Sequence, residues 1–261
     1  MEVVIAADPD AAAQVVADVI ARVVRVRPAP VLGLATGSSP LGAYRRLIDA
    51  HESGTLSFAH ASAVLLDEYV GLPADHPEAY RTFIRREFTD RIDLPTERVF
   101  GPDVTAADLP DACRRYDRLI ADLGGVDVQL LGIGGDGHIG FNEPSSSLAS
   151  RTRIKTLTDT TRSDNARFFE DDEYDVPRHV VTQGLGTILE ARHLLMIATG
   201  ASKVEPIAQA VEGPLTAMCP ASVLQLHPHA TVVVDEAAAS GLRLADYYRE
   251  AYTHKPDWQQ L

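Results

Sequence analysis

Short apolar runs recur along the chain at 3–6, 31–35, 63–66, 128–132, 194–198 and 231–234. They are rich in Val, Ile and Leu and lack polar alternation, the pattern of strands buried on both faces. Between them, apolar positions recur at helical spacing over 9–26, 40–51, 77–88, 109–123, 162–170, 203–211 and 237–252. Asp8 before Pro9 is an N-cap followed by a proline suited to the first turn. This alternation predicts an α/β fold, a single-domain, Rossmann-like parallel sheet over 1–261 with helices on both faces. The interval 151–186 breaks the rhythm and predicts an excursion from that sheet.

Ligands of open parallel sheets gather outside the carboxyl ends of the strands. Those positions here are polar or glycine-rich. Thr36-Gly37-Ser38-Ser39-Pro40 turns from a strand into a helix, with backbone amides, hydroxyls and a helix N-terminus to attract an anion. No Gly-Lys-Ser/Thr follows, so it is not a Walker sequence. Thr199-Gly200-Ala201-Ser202-Lys203 repeats the arrangement and adds a cation at a helix start, where the helix dipole disfavours one. A bound anion would remove that conflict. Asp67-Glu68 ends an apolar strand, where a rigid, partly desolvated carboxylate suits a general base; a helix cap or surface acid is the plainer alternative.

The densest segment is 132–144, Gly-Ile-Gly-Gly-Asp-Gly-His-Ile-Gly-Phe-Asn-Glu-Pro. Its glycines permit close backbone approach to a ligand. Asp136, His138 and Glu143 supply a histidine flanked by carboxylates, the makings of a proton shuttle. Gly132, Gly134 and Gly137 also match a dinucleotide fingerprint, but a poor helix former follows and the dehydrogenase reading is rejected. A metal on Asp136 and His138 is weakly suggested, and His227-Pro-His229 reads as a surface turn. Arg151, Arg153 and Lys155 fall at period two on one face of an extended segment, either guarding a strand edge or holding an anion.

The charge sharpens these readings. At net -13, the chain repels nucleic acid and anionic membranes. It also repels an anionic metabolite, so a phosphate must be held by strong local donors. No basic-then-apolar leader opens the chain, and no run approaches the ~20 apolar residues of a membrane span. Cys113 and Cys219 lack CxxC spacing and read as buried thiols of a reducing cytosol, which makes the expected location cytoplasmic.

TGSSPLGAY, LLDEYVGLPADHPEAY, GIGGDGHIGFNEPSSSLASRTRIKTLT, TRSDNARFF and LQLHPHA together resemble the glucosamine-6-phosphate deaminases, from near residue 1 to about residue 250. The 6-phosphogluconolactonases share the fold and a DGH loop, but usually continue to Ser-Leu-Phe-Pro where this chain has Phe-Asn-Glu-Pro. The resemblance implies conversion of glucosamine 6-phosphate to fructose 6-phosphate and ammonia, without a cofactor. It implies Asp67 as the C2–C1 base and His138 as the ring-opening catalyst, with Asp136 and Glu143 holding it. Thr36, Gly37, Ser38, Ser39, Arg167 and Lys203 are the implied phosphate clamp. Ser38 stands where some members have glycine. A homo-oligomer, a hexamer in many members, is also implied. So is an activating N-acetylglucosamine 6-phosphate site at Ser146, Ser147, Arg153, Lys155, Thr156 and Tyr247. A non-catalytic sugar-phosphate sensor would need neither the base nor the shuttle.

Overall fold

The computed structural model describes residues 1–73, 75–166, 169, 176–256, 259 and 261. Seven strands form one wholly parallel sheet: β1 (Glu2–Ala6), β2 (Val31–Leu34), β3 (Ser62–Leu65), β5 (Val99–Phe100), β6 (Val128–Leu131), β9 (Leu194–Ala198) and β10 (Ala230–Asp235). Their order is β1-β10-β9-β6-β2-β3-β5. All six expected strands are present. The two-residue β5 was too short to carry a periodic signal.

The sheet is flanked by α1 (Pro9–Val26), α2 (Leu41–Glu52), α3 (Tyr80–Glu87), α4 (Leu109–Asp122), α5 (Asp159–Ala166), α6 (Leu185–Ile188), α7 (Val204–Glu212), α8 (Glu236–Ala239) and α9 (Ala245–Thr253). Asp8 caps α1 as its sequence predicts, accepting from Ala11 N at 2.8 Å. The helix expected over 237–252 is two helices, because the chain turns at Gly241, where a Cβ would sit 2.7 Å from Val204 Cγ1 of α7. The helix expected over 162–170 is α5, which starts at Asp159; residues 167, 168 and 170 lie outside the described residues.

The interval 151–186 does leave the large sheet. It supplies β7 (Arg153–Thr156) and β8 (His179–Thr182), which join β4 (Asp67–Tyr69) in a small antiparallel sheet of order β4-β8-β7. A satellite cluster of Tyr69, Phe141, Leu157, Ala166, Phe169, Val176 and Val180 packs there, apart from the main core. Cys113 and Cys219 are free, buried thiols. Among the described residues no helix is long and apolar enough to cross a membrane.

Candidate active site

From β2 the chain winds outward through β3 to β5, then returns past β2 to β6, β9 and β10. Where that direction reverses, the connections diverge and leave a crevice at the carboxyl ends of the strands. A cavity of about 420 Å³ lies there. Thr36, Gly37, Ser38 and Ser39 after β2, Asp67 after β3, His138 after β6 and Lys203 after β9 all line it. Four segments spread over the sequence thus meet because their strands are neighbours.

The helices that leave the two turn motifs have no side-chain cap. Pro40 and Lys203 hold the cap positions of α2 and α7, and neither side chain bonds a first-turn amide. By contrast, α1 and α4 are closed by Asp8 and Asp108. Leu41 N at the start of α2 donates to Ser38 O at 3.4 Å, Val204 N at the start of α7 to Ala201 O, and Gly200 N to the Asp235 carboxylate at 3.0 Å, so an anion would draw on the remaining turn amides. Gly37 and Gly200 both have φ near +90°, at 88° and 89°, which turns the adjacent backbone as other residues rarely allow. Lys203 Nζ donates to Ile133 O at 2.7 Å, which holds the cation at the edge of the glycine loop. Arg167 lies outside the described residues.

Asp67 is only 5% exposed. Burial, together with the neighbouring Glu68 carboxylate, pushes its pKa well above the usual carboxylate range. Its backbone pairs with Thr182 of β8, and Thr182 Oγ1 accepts from Phe141 N at 3.1 Å. A Cβ on Gly140 would lie 2.9 Å from Thr182 Oγ1 and 3.4 Å from Asp67 Oδ2, so glycine lets the β6 loop close over this acid. Glu68 has the other role anticipated for the pair. Its carboxylate accepts from Tyr80 N at 2.8 Å and Arg81 N at 2.9 Å, which caps α3.

His138 Nδ1 lies 2.6 Å from Asp136 Oδ1, and the His138 backbone amide donates to the same oxygen at 3.1 Å. Burial pushes Asp136 up, but the hydrogen bond and charge of His138 prevail and leave it below the usual range. With Nδ1–H donating to a carboxylate, Nε2 is the nitrogen left to exchange protons. A Cβ on Gly134 would sit 2.1 Å from His138 Cε1, so the ring occupies the space that a side chain would take. Glu143 is buried and accepts from Thr161 Oγ1 of α5. Among the described residues, hydrogen bonds therefore join His138 to Asp136, and Glu143 to α5. The loop runs on without a helix until Asp159, in keeping with rejection of the dinucleotide fingerprint.

An aromatic wall was missed. Tyr69, Tyr80, Phe141 and Phe169 line the same cavity. Tyr80 stacks on Phe141 at 5.9 Å and 5°, and Tyr69 meets Phe141 and Phe169 edge-on at 5.7 and 5.6 Å. Burial pushes the Tyr80 hydroxyl well above its ordinary pKa, and that hydroxyl also engages Thr36 of the turn. These aromatics come from β4, α3, the loop after β6 and the stretch after α5, so no local pattern links them.

The cationic segment is partly rearranged from its expected form. Arg151 is drawn off by Asp117 at 3.3 Å and Glu190 at 2.5 Å, leaving two cations rather than three on β7. Arg153 and Lys155 are half-buried on this outer strand, and Thr156 is exposed. Ser147 is exposed, whereas Ser146 is buried and its hydroxyl has no hydrogen-bond partner among the described residues. Tyr247 is exposed on α9, which packs against β1 at the edge of the large sheet. His227 is buried rather than on a surface turn, with Nε2 2.8 Å from Ala191 O.

Comparison with known proteins agrees with this geometry. Residues 7–234 match the family described as glucosamine-6-phosphate isomerases/6-phosphogluconolactonase. A glucosamine-6-phosphate deaminase of Rhodococcus jostii is 61% identical over 261 residues, covering all of both chains. A solved structure described as a monomeric glucosamine-6-phosphate deaminase superposes with a TM-score of 0.89 at 42% identity, covering 92% of this chain and 100% of that one. The 6-phosphogluconolactonase of Trypanosoma brucei gives 0.72 at 21% identity, covering 92% and 98%, a likeness of fold alone. The chain therefore belongs to the glucosamine-6-phosphate isomerase/6-phosphogluconolactonase family, and groups within it with the glucosamine-6-phosphate deaminases.

Proposed function

We propose that the chain converts glucosamine 6-phosphate and water to fructose 6-phosphate and ammonia. The observation that carries this reading is one cavity lined by a glycine- and hydroxyl-rich turn, a buried acid and an acid-paired histidine. The remaining amides and the hydroxyls of the Thr36–Ser39 turn and Lys203 bind the phosphate, with Arg167 as the further expected clamp. His138, oriented by Asp136, moves a proton from O1 to O5 and opens the ring. Asp67 takes the C2 proton, giving an enolamine, and returns it to C1. The C2 iminium so formed adds water and expels ammonia, leaving the ketone. The sequence of steps balances without an oxidant or reductant. Glu143 acts from behind, through Thr161 and the loop.

A lactonase is the alternative on the same fold. It is disfavoured by Asn142, which is buried and donates to Ile139 O and Gln183 O, and by Glu143 beside it. These two residues occupy the places where lactonases usually carry Leu-Phe. Ammonia release from glucosamine 6-phosphate, with 6-phosphogluconolactone hydrolysis run in parallel, decides between them. Lactone hydrolysis without ammonia would overturn the proposal.

The reading extends to one domain over 1–261 acting in the cytoplasm on amino sugars released by degradation of N-acetylglucosamine. Activation by N-acetylglucosamine 6-phosphate draws support from Arg153, whose Nη1 donates to Asn142 Oδ1 at 2.8 Å, so β7 touches the catalytic loop. Rate curves with and without the acetylated sugar test it, and activation should vanish in Lys155→Ala. The hexamer has no support, since the solved relative at TM-score 0.89 is described as monomeric.

A further inference from the structure

Glu78 stands between β4 and α3 and lines the same cavity as Asp67 and Lys203. The other acids around the site have partners or are pushed toward neutrality. Glu68 is used up by backbone amides, Asp136 by His138 and Glu143 by Thr161. Asp67 is buried, which disfavours its charge. The Glu78 backbone amide donates to His76 Nδ1 at 3.1 Å, but among the described residues its carboxylate has neither ion pair nor hydrogen bond. It is only half-buried and keeps its access to water.

An unpaired carboxylate in an anion-binding cavity works against the ligand. The whole chain already carries -13, and the turn and Lys203 must overcome that field. The arrangement makes sense for a ligand that carries an anion at one end and a cation at the other. The proposed substrate is such a ligand, with a phosphate on C6 and an ammonium on C2. We infer that Glu78 is the counter-charge to the substrate ammonium, and so a specificity-determining residue that selects amino sugar phosphates over their hydroxyl analogues. This inference rests on the proposed reaction. Opposite charges lining one cavity would also favour one orientation of the sugar within it.

The test compares two open-chain alcohols as competitive ligands, 2-amino-2-deoxyglucitol 6-phosphate and glucitol 6-phosphate, on the wild type and on Glu78→Gln. The wild type should bind the amino compound more tightly. Glu78→Gln should weaken the amino compound about tenfold or more, as expected for loss of a charge-assisted contact, and leave the hydroxyl compound within about twofold. Glu78→Asp should recover part of the preference. A Glu78→Gln protein that keeps the wild-type preference overturns the inference while leaving the deaminase reading intact. Equal loss of both ligands also overturns it, by making Glu78 structural. A wild type that binds neither alcohol and releases no ammonia from glucosamine 6-phosphate removes the reading beneath it.

Discussion

Asp67 and Asp127 are buried almost equally, at 5% and 6% exposed, at opposite ends of the same parallel sheet. Asp127 precedes β6 and has every partner it needs. Its carboxylate accepts from Val31 N at 2.9 Å, from Arg27 Nε at 2.9 Å and from Arg192 Nη1 at 3.2 Å. Asp67 follows β3 and opens on a cavity, with burial holding its pKa high. The histidines divide the same way. At the amino ends of the strands, His193 stacks on His229 at 3.7 Å and bonds Thr231 Oγ1 at 2.9 Å, so its polarity is satisfied internally. At the carboxyl ends, His138 has one nitrogen on Asp136 and the other to offer. Burial alone does not mark a working residue. What distinguishes Asp67 and His138 is that each borders the cavity.

The contrast breaks first at Asp67. Asp67→Asn should lower ammonia release by ~10²–10⁴-fold, the usual contribution of a general base, while substrate still binds. Solvent deuterium exchange at C1 of fructose 6-phosphate is the direct readout. The variant should also unfold at a higher temperature near neutral pH, because a carboxyl with a raised folded pKa loses stability as pH climbs above its ordinary value.

His138→Gln should slow turnover about a hundredfold on the cyclic substrate and less on an open-chain substrate analogue, if its proposed task is ring opening. Equal losses on both would make the two acid-base groups one machine. Lys203→Ala should raise KM about tenfold or more, as expected for loss of a charged hydrogen bond. Unphosphorylated glucosamine, a poor substrate, should be nearly indifferent to the change.

The other end of the sheet should respond in stability and not in rate. Asp127→Ala strands the buried Val31 amide and should cost about 1–3 kcal/mol in denaturant unfolding, with KM unchanged. The two arginines are half-exposed and return to water. His193 has its pKa pushed down to about 3, first by burial and then by His229 and His227, from an ordinary 6.5. The unfolded chain therefore takes up this proton first. Stability is whole above pH 6.5 and falls as pH drops toward 3, by up to about 1.4 kcal/mol per unit. His193→Gln should flatten that acid limb in thermal unfolding. An unchanged slope would show that other groups set it.

Much of this was legible in the sequence. The rhythm of apolar runs and amphipathic stretches predicts the strands and most helix starts, because burial on two faces or on one stripe leaves a local periodicity. Polar and glycine-rich turns at 36–39, 132–140 and 199–203 mark the strand ends on which a site must sit. The small sheet was legible only as an interruption. β4 and β8 pair across more than a hundred residues, and neither is long enough to declare itself. Asp67 and Glu68 are neighbours of like chemistry, and nothing local says that one faces the cavity while the other caps α3.

By itself, then, the sequence determined the layered α/β architecture, the glycine- and hydroxyl-rich turns at the strand ends and the acids that follow them, since these follow from local pattern and composition. Only the tertiary structure decided which acid is buried beside the cavity, which is paired and which lines the cavity wall. Strand order brings β9, β6, β2 and β3 side by side, and the surroundings of Asp67, Asp127 and Glu78 are supplied by segments that lie far away along the chain. Desolvation and hydrogen bonding act through space, and the sequence encodes those distances only through the whole fold.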